Sequence, residues 1–126
     1  MLVAALALAA AQAFAQAPPP QVQPGSGTRP VYEAELLRLS EVIGALAFLR
    51  DLCGAADADE WPERMRQLIA AEGPERAPRL AGAYNRGYGG FALTYRTCTP
   101  SAEVAMARYL DEGDRLSRLI ATRYGG

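Results

Sequence analysis

Two cysteines, Cys53 and Cys98, stand 45 residues apart in a chain of 126, and the stretch that ends on the first is the clearest helix in the sequence. Tyr32–Cys53 reads YEAELLRLSEVIGALAFLRDLC. Leu36, Leu39, Ile43 and Leu46 recur at intervals of three and four, and Leu49 and Cys53 extend the stripe, which is the spacing of an amphipathic α-helix. Glu33 and Glu35 fall in the first turn, where the positive end of the helix dipole favours carboxylates, and Arg50 lies near the opposite end. Gly54 is a ready stop. Ser40, Gly44 and Ala47 form a line of small residues along which another helix can approach closely.

Three further helices follow. Asp57–Glu60 forms a loop with Asp57 or Asp59 as the expected cap, and Pro62 is tolerated in the first turn behind it. Trp61, Met65, Leu68 and Ile69 give this second helix a short apolar face that stops at Gly73-Pro74; Trp61, the single tryptophan, reads as a core plug. From Glu75 to Cys98 the residues Leu80, Tyr84, Gly87, Tyr88, Phe91, Tyr95 and Cys98 keep a helical spacing. Gly87, Gly89 and Gly90 interrupt it, each at a cost of about 1 kcal/mol relative to alanine. The surviving aromatic spacing predicts one continuous third helix, with its glycines set against the small line of the first. Thr99 then caps a fourth helix with Pro100 at its first position, and Met106, Tyr109, Leu110, Gly113, Leu116 and Ile120 form its buried stripe.

Short connections between four helices predict an all-α, up-down-up-down bundle. In that topology the end of the first helix, the end of the third and the start of the fourth share one side, which is where Cys53 and Cys98 fall. A single structural disulfide is expected, because the CxxC spacing of a redox pair is missing. Closing a loop of this size is worth about 4 kcal/mol in the chain-entropy description.

Ahead of the helical region, Met1–Ala15, MLVAALALAAAQAFA, is an apolar run closing on Ala13-Phe14-Ala15, the pattern of a secretory signal peptide without its usual positive leader. Residues 16–30, QAPPPQVQPGSGTRP, are rich in proline and glycine and are expected to be a disordered linker. The expected division is therefore signal peptide 1–15, linker 16–30 and helical domain 31–126, with the domain in the periplasm and no stable membrane span after cleavage.

Composition narrows the chemistry. The 13 basic residues are all arginine, against 14 acidic ones, for a net charge of −1. A near-neutral chain argues against nucleic-acid binding. The absence of histidine and lysine removes the commonest general base, the usual metal ligand, Schiff-base chemistry and the lysine of a phosphate-binding loop. No cofactor, metal site or enzymatic activity is expected. Two acids across a cleft would suit glycoside hydrolysis, but adjacent acids on a helix point in different directions, and Asp111, Glu112 and Asp114 around Gly113 read as a solvated face. Asp57, Asp59 and Glu60 lack the ligand spacing of a calcium loop.

Polar residues inside apolar stretches remain. Glu41, Arg50, Asn85, Arg86 and Arg96 border the packing stripes, and Glu41 is expected to pair with an arginine of another helix. Tyr84, Tyr88 and Tyr95, with Arg86 and Arg96, are the alternative: a groove for a glycan, peptide or anionic headgroup, as in a small-ligand carrier. The leading expectation is a non-enzymatic module that binds an envelope protein or polymer; an accessory to a cell-wall hydrolase is the third reading.

The segments YEAELLRLSEVIGAL, LRDLCG, YNRGYGGF, YRTCT, RYLDEG and IATRYG together resemble a family of short exported alphaproteobacterial proteins of unknown function. The resemblance implies a signal peptide, a periplasmic location and the cysteine pair, and it supplies no catalytic residue. It also implies a basic residue after the GY of YNRGY and a histidine near Ala47, where this chain has Gly89 and Ala47.

Overall fold

The computed structural model describes residues 32–124. The expected signal peptide and linker lie outside the described residues. Four helices follow in order: α1 Glu33–Leu52, α2 Glu60–Glu72, α3 Ala77–Ala92 and α4 Pro100–Tyr124, and no strand occurs among the described residues. Tyr32 at the start of α1 touches Glu72 at the end of α2, Glu33 pairs with Arg79 at the start of α3, and Cys53 at the end of α1 is bonded to Cys98 just before α4. The helices therefore alternate up-down-up-down, as the short connections require. The Cys53–Cys98 bridge, with its Cα atoms 4.9 Å apart, joins the end of α1 to the start of α4.

The helices do not share the core equally. The backbone of α1 packs against those of α2, α3 and α4, whereas the backbone of α4 meets neither α2 nor α3. Six consecutive residues of α1, Val42 to Ala47, are buried. A one-sided helix cannot bury six residues in a row, so α1 is covered on nearly all sides and the amphipathic reading of it is corrected. The leucine and isoleucine stripe is real, but the small residues on the remaining surface are buried too, against α3. Leu36, Val42, Ile43, Leu46 and Ala47 join Trp61, Met65 and Leu80 in the core cluster.

Two glycines set the distance between α1 and α3. A Cβ on Gly44 would lie 2.0 Å from the carbonyl oxygen of Tyr84, and one on Gly87 would lie 1.9 Å from that of Glu41. Each glycine thus receives the backbone of the opposing helix, which only a hydrogen at Cα permits. Of the small line read from the sequence Gly44 serves this purpose, and of the third-helix glycines expected to pack against it Gly87 does. Gly89 and Gly90 have no neighbour within 4 Å of an added Cβ and play no part in it.

Helix α3 is continuous through Gly87–Gly90, as the aromatic spacing predicts, but it ends at Ala92, six residues before Cys98. Tyr95 N–H still donates to the Phe91 carbonyl at 2.8 Å, and the rings of Phe91 and Tyr95 stack with centroids 6.1 Å apart. A turn therefore keeps the four-residue aromatic spacing that the sequence displays as helix. Thr99 caps α4 as expected: Ala102 N–H donates to its hydroxyl at 3.1 Å. Asp59 occupies the cap position of α2 without a side-chain hydrogen bond to the backbone.

Candidate functional site

Because α2 and α4 flank α1 without meeting, a cleft of about 750 Å³ opens between them. Its floor is α1, through Leu39, Val42 and Ile43; Trp61, Arg64 and Leu68 form the α2 wall, and Leu110, Gly113 and Ser117 the α4 wall. The volume falls within the range of ordinary ligand sites. The cleft continues toward the start of α1 as a second hollow of about 290 Å³, bordered by Tyr32, Leu36, Glu72 and Ile120 and sharing Leu39, Leu68 and Ser117 with the first. Small side chains on α4 keep it open. Gly113 lies close over Val42, where an added Cβ would come within 3.2 Å of Cγ1, and the Ser117 hydroxyl is turned back to donate to the Gly113 carbonyl at 2.7 Å.

Trp61 dominates one end. It is buried, and the Arg64 guanidinium lies over its ring, 4.2 Å from the centroid. Its indole Nε1 is buried without a hydrogen-bond partner. The Asp57 carboxylate lies near enough to feel the indole N–H, but the two do not meet hydrogen-bond geometry. Asp57 is held by Arg50, whose guanidinium approaches to 2.7 Å. Desolvation pushes the Asp57 carboxyl up, and the Arg50 hydrogen bond and charge more than reverse this, so it sits below the usual carboxylate value. The other charges along the cleft are paired as well: Arg64 with Glu60 at 3.5 Å, Arg76 with Glu72 at 2.7 Å, and Arg118 with Asp114 at 3.1 Å. The cleft is thus an apolar trough whose rim carries neutralised charges.

The residues singled out from the sequence divide into three groups. Glu41 and Arg50 are in ion pairs, but Glu41 pairs with Arg38 of its own helix at 3.1 Å, not with an arginine of another helix. The pairs that tie helices together are Arg38–Glu112 between α1 and α4, at 2.8 Å, and Glu33–Arg79 between α1 and α3, at 2.6 Å. Arg38 also lies 5.5 Å from the centroid of the Tyr109 ring, and its hydrogen bond to Glu112 makes the guanidinium still harder to deprotonate, against the opposing effect of burial. Tyr84 and Tyr88 stack on each other, Tyr88 meets Phe48 edge-on at 5.4 Å, and Tyr95 stacks on Phe91. Burial raises the Tyr84 phenol above its ordinary pKa, with Tyr88 adding to the shift. Asn85, Arg86 and Arg96 are exposed and make no ion pair with another described residue. Neither these three nor the tyrosines line the cleft.

The acids of α4 are spread among arginines. Asp111 pairs with Arg115 at 3.1 Å, Asp114 with Arg118, and Glu112 with Arg38. Asp57 is committed to Arg50. Among the described residues no group of three histidine, cysteine, aspartate or glutamate side chains is placed to hold a metal ion, and no helix is long and apolar enough to cross a membrane. The cleft residues escape a reading of the sequence because Leu39, Leu68 and Leu110 look like ordinary core positions. The available signal is the thinness of α2: two buried residues, Trp61 and Met65, cannot cover the flank of a helix as apolar as α1.

Two positions where the chain departs from the expected family pattern differ in their surroundings. Open space at Gly89 would accept a basic side chain, whereas Ala47 is buried in the core. No curated protein and no solved structure matches the chain. One family model does, over residues 31–124, a span that takes in all four helices and the cysteine pair. The chain belongs to the family described as Protein of unknown function (DUF2385).

Proposed function

We propose that the protein is a non-enzymatic, exported helical module that binds another component of the cell envelope, protein or polymer, through the cleft between α2 and α4. The observation that carries this reading is the open cleft itself: about 750 Å³, floored by the most apolar of the described helices and left unfilled by two helices whose backbones stay apart. A packed domain of this size gains stability by closing such a space, so an open apolar trough marks a place for something else. The signal-peptide pattern of Met1–Ala15 and the Cys53–Cys98 disulfide both support an oxidising compartment, the periplasm. Against an enzyme stand the lack of histidine and lysine and the engagement of the α4 acids by arginines.

The experiment is site-specific photocrosslinking in intact cells. A photoreactive residue at Gln67 or Ser117, both on the cleft, is expected to give a discrete adduct in the periplasmic fraction, while one at the exposed Ala107 gives none. Equal adducts from all three positions, or none from any, would refute the assignment. Mass spectrometry of the same fraction should find the chain beginning at Gln16 with its disulfide intact, and a cytoplasmic, reduced chain would remove the envelope from the proposal.

A further inference from the structure

We infer that the cleft receives one amphipathic α-helix of another envelope protein, laid along α1 with its apolar stripe down and its charged flanks against α2 and α4. The inference rests on the reading of the cleft as a binding site and deepens it by naming the class of partner. Shape, backbone chemistry and charge each point to it.

The α2 wall runs from Trp61 to Glu72 and the α4 wall from Leu110 to Ala121, three helical turns or about 17 Å. Along the floor Leu36, Leu39 and Ile43 follow at intervals of three and four, so the bottom of the trough is ridged at the pitch of a helix. Leu39, Leu68 and Leu110, one each from α1, α2 and α4, are only half buried. A row of apolar side chains at i, i+3 or i+4 and i+7 would cover them.

An occupant of an apolar trough must arrive with its polar backbone groups already satisfied. The floor and both walls are helices, whose interior peptide groups bond along their own axes, so no strand edge is offered to an extended peptide. A sugar chain needs partners for its hydroxyls. The polar side chains here serve it poorly: the Ser117 hydroxyl is turned to the Gly113 carbonyl, Asp57 is held by Arg50, and Gln67 stands exposed at the rim. A helix makes neither demand.

Two further charges line the cleft from opposite walls, Arg64 on α2 and Asp114 on α4. Each is held by a neighbour on its own helix, Arg64 by Glu60 at 3.5 Å and Asp114 by Arg118 at 3.1 Å, and all four side chains are well exposed. Pairs of this kind contribute little, so an incoming charge exchanges with them readily. A helix with acids on the flank facing α2 and bases on the flank facing α4 meets both. The partner segment therefore carries an apolar stripe of about three turns bordered by opposite charges on its two sides.

The test titrates the purified, disulfide-bonded chain with a designed helical peptide of about 14 residues, leucines spaced three and four apart, glutamates along one flank and arginines along the other. The methyl resonances of Leu39, Leu68 and Leu110 are expected to shift saturably, and a peptide of the same composition with leucines at alternate positions should leave them in place. Ser117→Leu should weaken binding by about tenfold, because its side chain takes the space of one apolar anchor. Asp114→Arg should weaken binding by about fivefold and improve that of a peptide with glutamates on both flanks. No shift at millimolar peptide, equal binding of the two leucine patterns, or shifts only outside the cleft would overturn the inference. So would a soluble peptidoglycan fragment that moves the same methyls where the peptide does not, giving the cleft to a polymer, or self-association that shields them without peptide, giving it to a second copy. The measurement needs no native partner: crosslinks from Gln67 and Ser117 in cells alongside a failure here would keep the cleft as a binding site and remove the helix from it.

Discussion

Gly87→Ala tests the packing on which the whole fold depends. The new methyl carbon would sit 1.9 Å from the Glu41 carbonyl oxygen, 2.8 Å from its carbon and 3.0 Å from the Ala45 nitrogen. All three are backbone atoms of a buried helix, so no side-chain rotation relieves the clash. A carbon and a carbonyl oxygen rest at about 3.3 Å, so α1 and α3 must part by about 1.4 Å. Overpacking of this kind costs about 1–3 kcal/mol, and separating two backbones is at the upper end. Alanine returns up to about 1 kcal/mol through helix propensity, so the net loss is about 2 kcal/mol. That lowers the melting temperature of a domain this size by about 10 °C. Gly89→Ala is the internal control, two residues further along the same helix, with nothing within 4 Å of its Cβ. It keeps only the propensity gain and should stabilise by up to about 1 kcal/mol. Urea titrations followed by helical circular dichroism read both. If Gly87→Ala is neutral, or moves stability in the same direction as Gly89→Ala, the interlocked backbones are not what holds α3 to α1.

Reducing the Cys53–Cys98 bridge, or replacing both cysteines by serine, should cost about 4 kcal/mol in the same urea titration for a 45-residue separation; a loss under about 1 kcal/mol would mean the bridge constrains little of the unfolded chain. The Asp57 carboxyl titrates below its unfolded value of 3.8. Its pairing with Arg50 therefore contributes stability above about pH 4 that is lost as the pH falls through the lower folded value, and Asp57→Asn should flatten that acid limb in stability measured against pH. The Arg38–Glu112 pair is partly exposed, so a double-mutant cycle of Arg38→Ala and Glu112→Ala should return a coupling of under about 1 kcal/mol that weakens in high salt. Ser117→Leu places an apolar side chain over Leu39 and Leu68 and should stabilise by about 1 kcal/mol while abolishing the Gln67 crosslink; retention of that crosslink would separate the cleft from binding.

Helix type and order are legible in the sequence because each helix is marked by periodicity and by a local stop or cap, such as Gly73 after α2 and Thr99 before α4. The disulfide is legible because topology and cysteine positions constrain each other. What escapes the sequence are properties set by neighbours. The end of α3 is obscured because a turn at Phe91–Tyr95 preserves a helical interval between stacked rings. The partner of Glu41 is an arginine of its own helix because Arg38, one turn earlier, reaches it first. The cleft is invisible because its floor residues are also core residues, and periodicity cannot tell a face covered by a helix from one left half open.

Glycines and other small residues show why the two cases diverge. Gly44 and Gly87 are small because backbone occupies the space a side chain would need; enlarging either pushes two helices apart. On α4, Ser117 is small and the space beside it is empty, although a leucine there would find apolar neighbours in Leu39 and Leu68. Helix α3 is drawn onto α1 by the first pair, α2 follows α3, and α4 is fixed to the opposite flank by the disulfide and the Arg38–Glu112 bridge. The remaining sector of α1 lies between α2 and α4, where one larger side chain would suffice to fill it. That sector therefore keeps an open apolar trough among the described residues, and it is the surface on which the proposed binding of another chain would bury further apolar area.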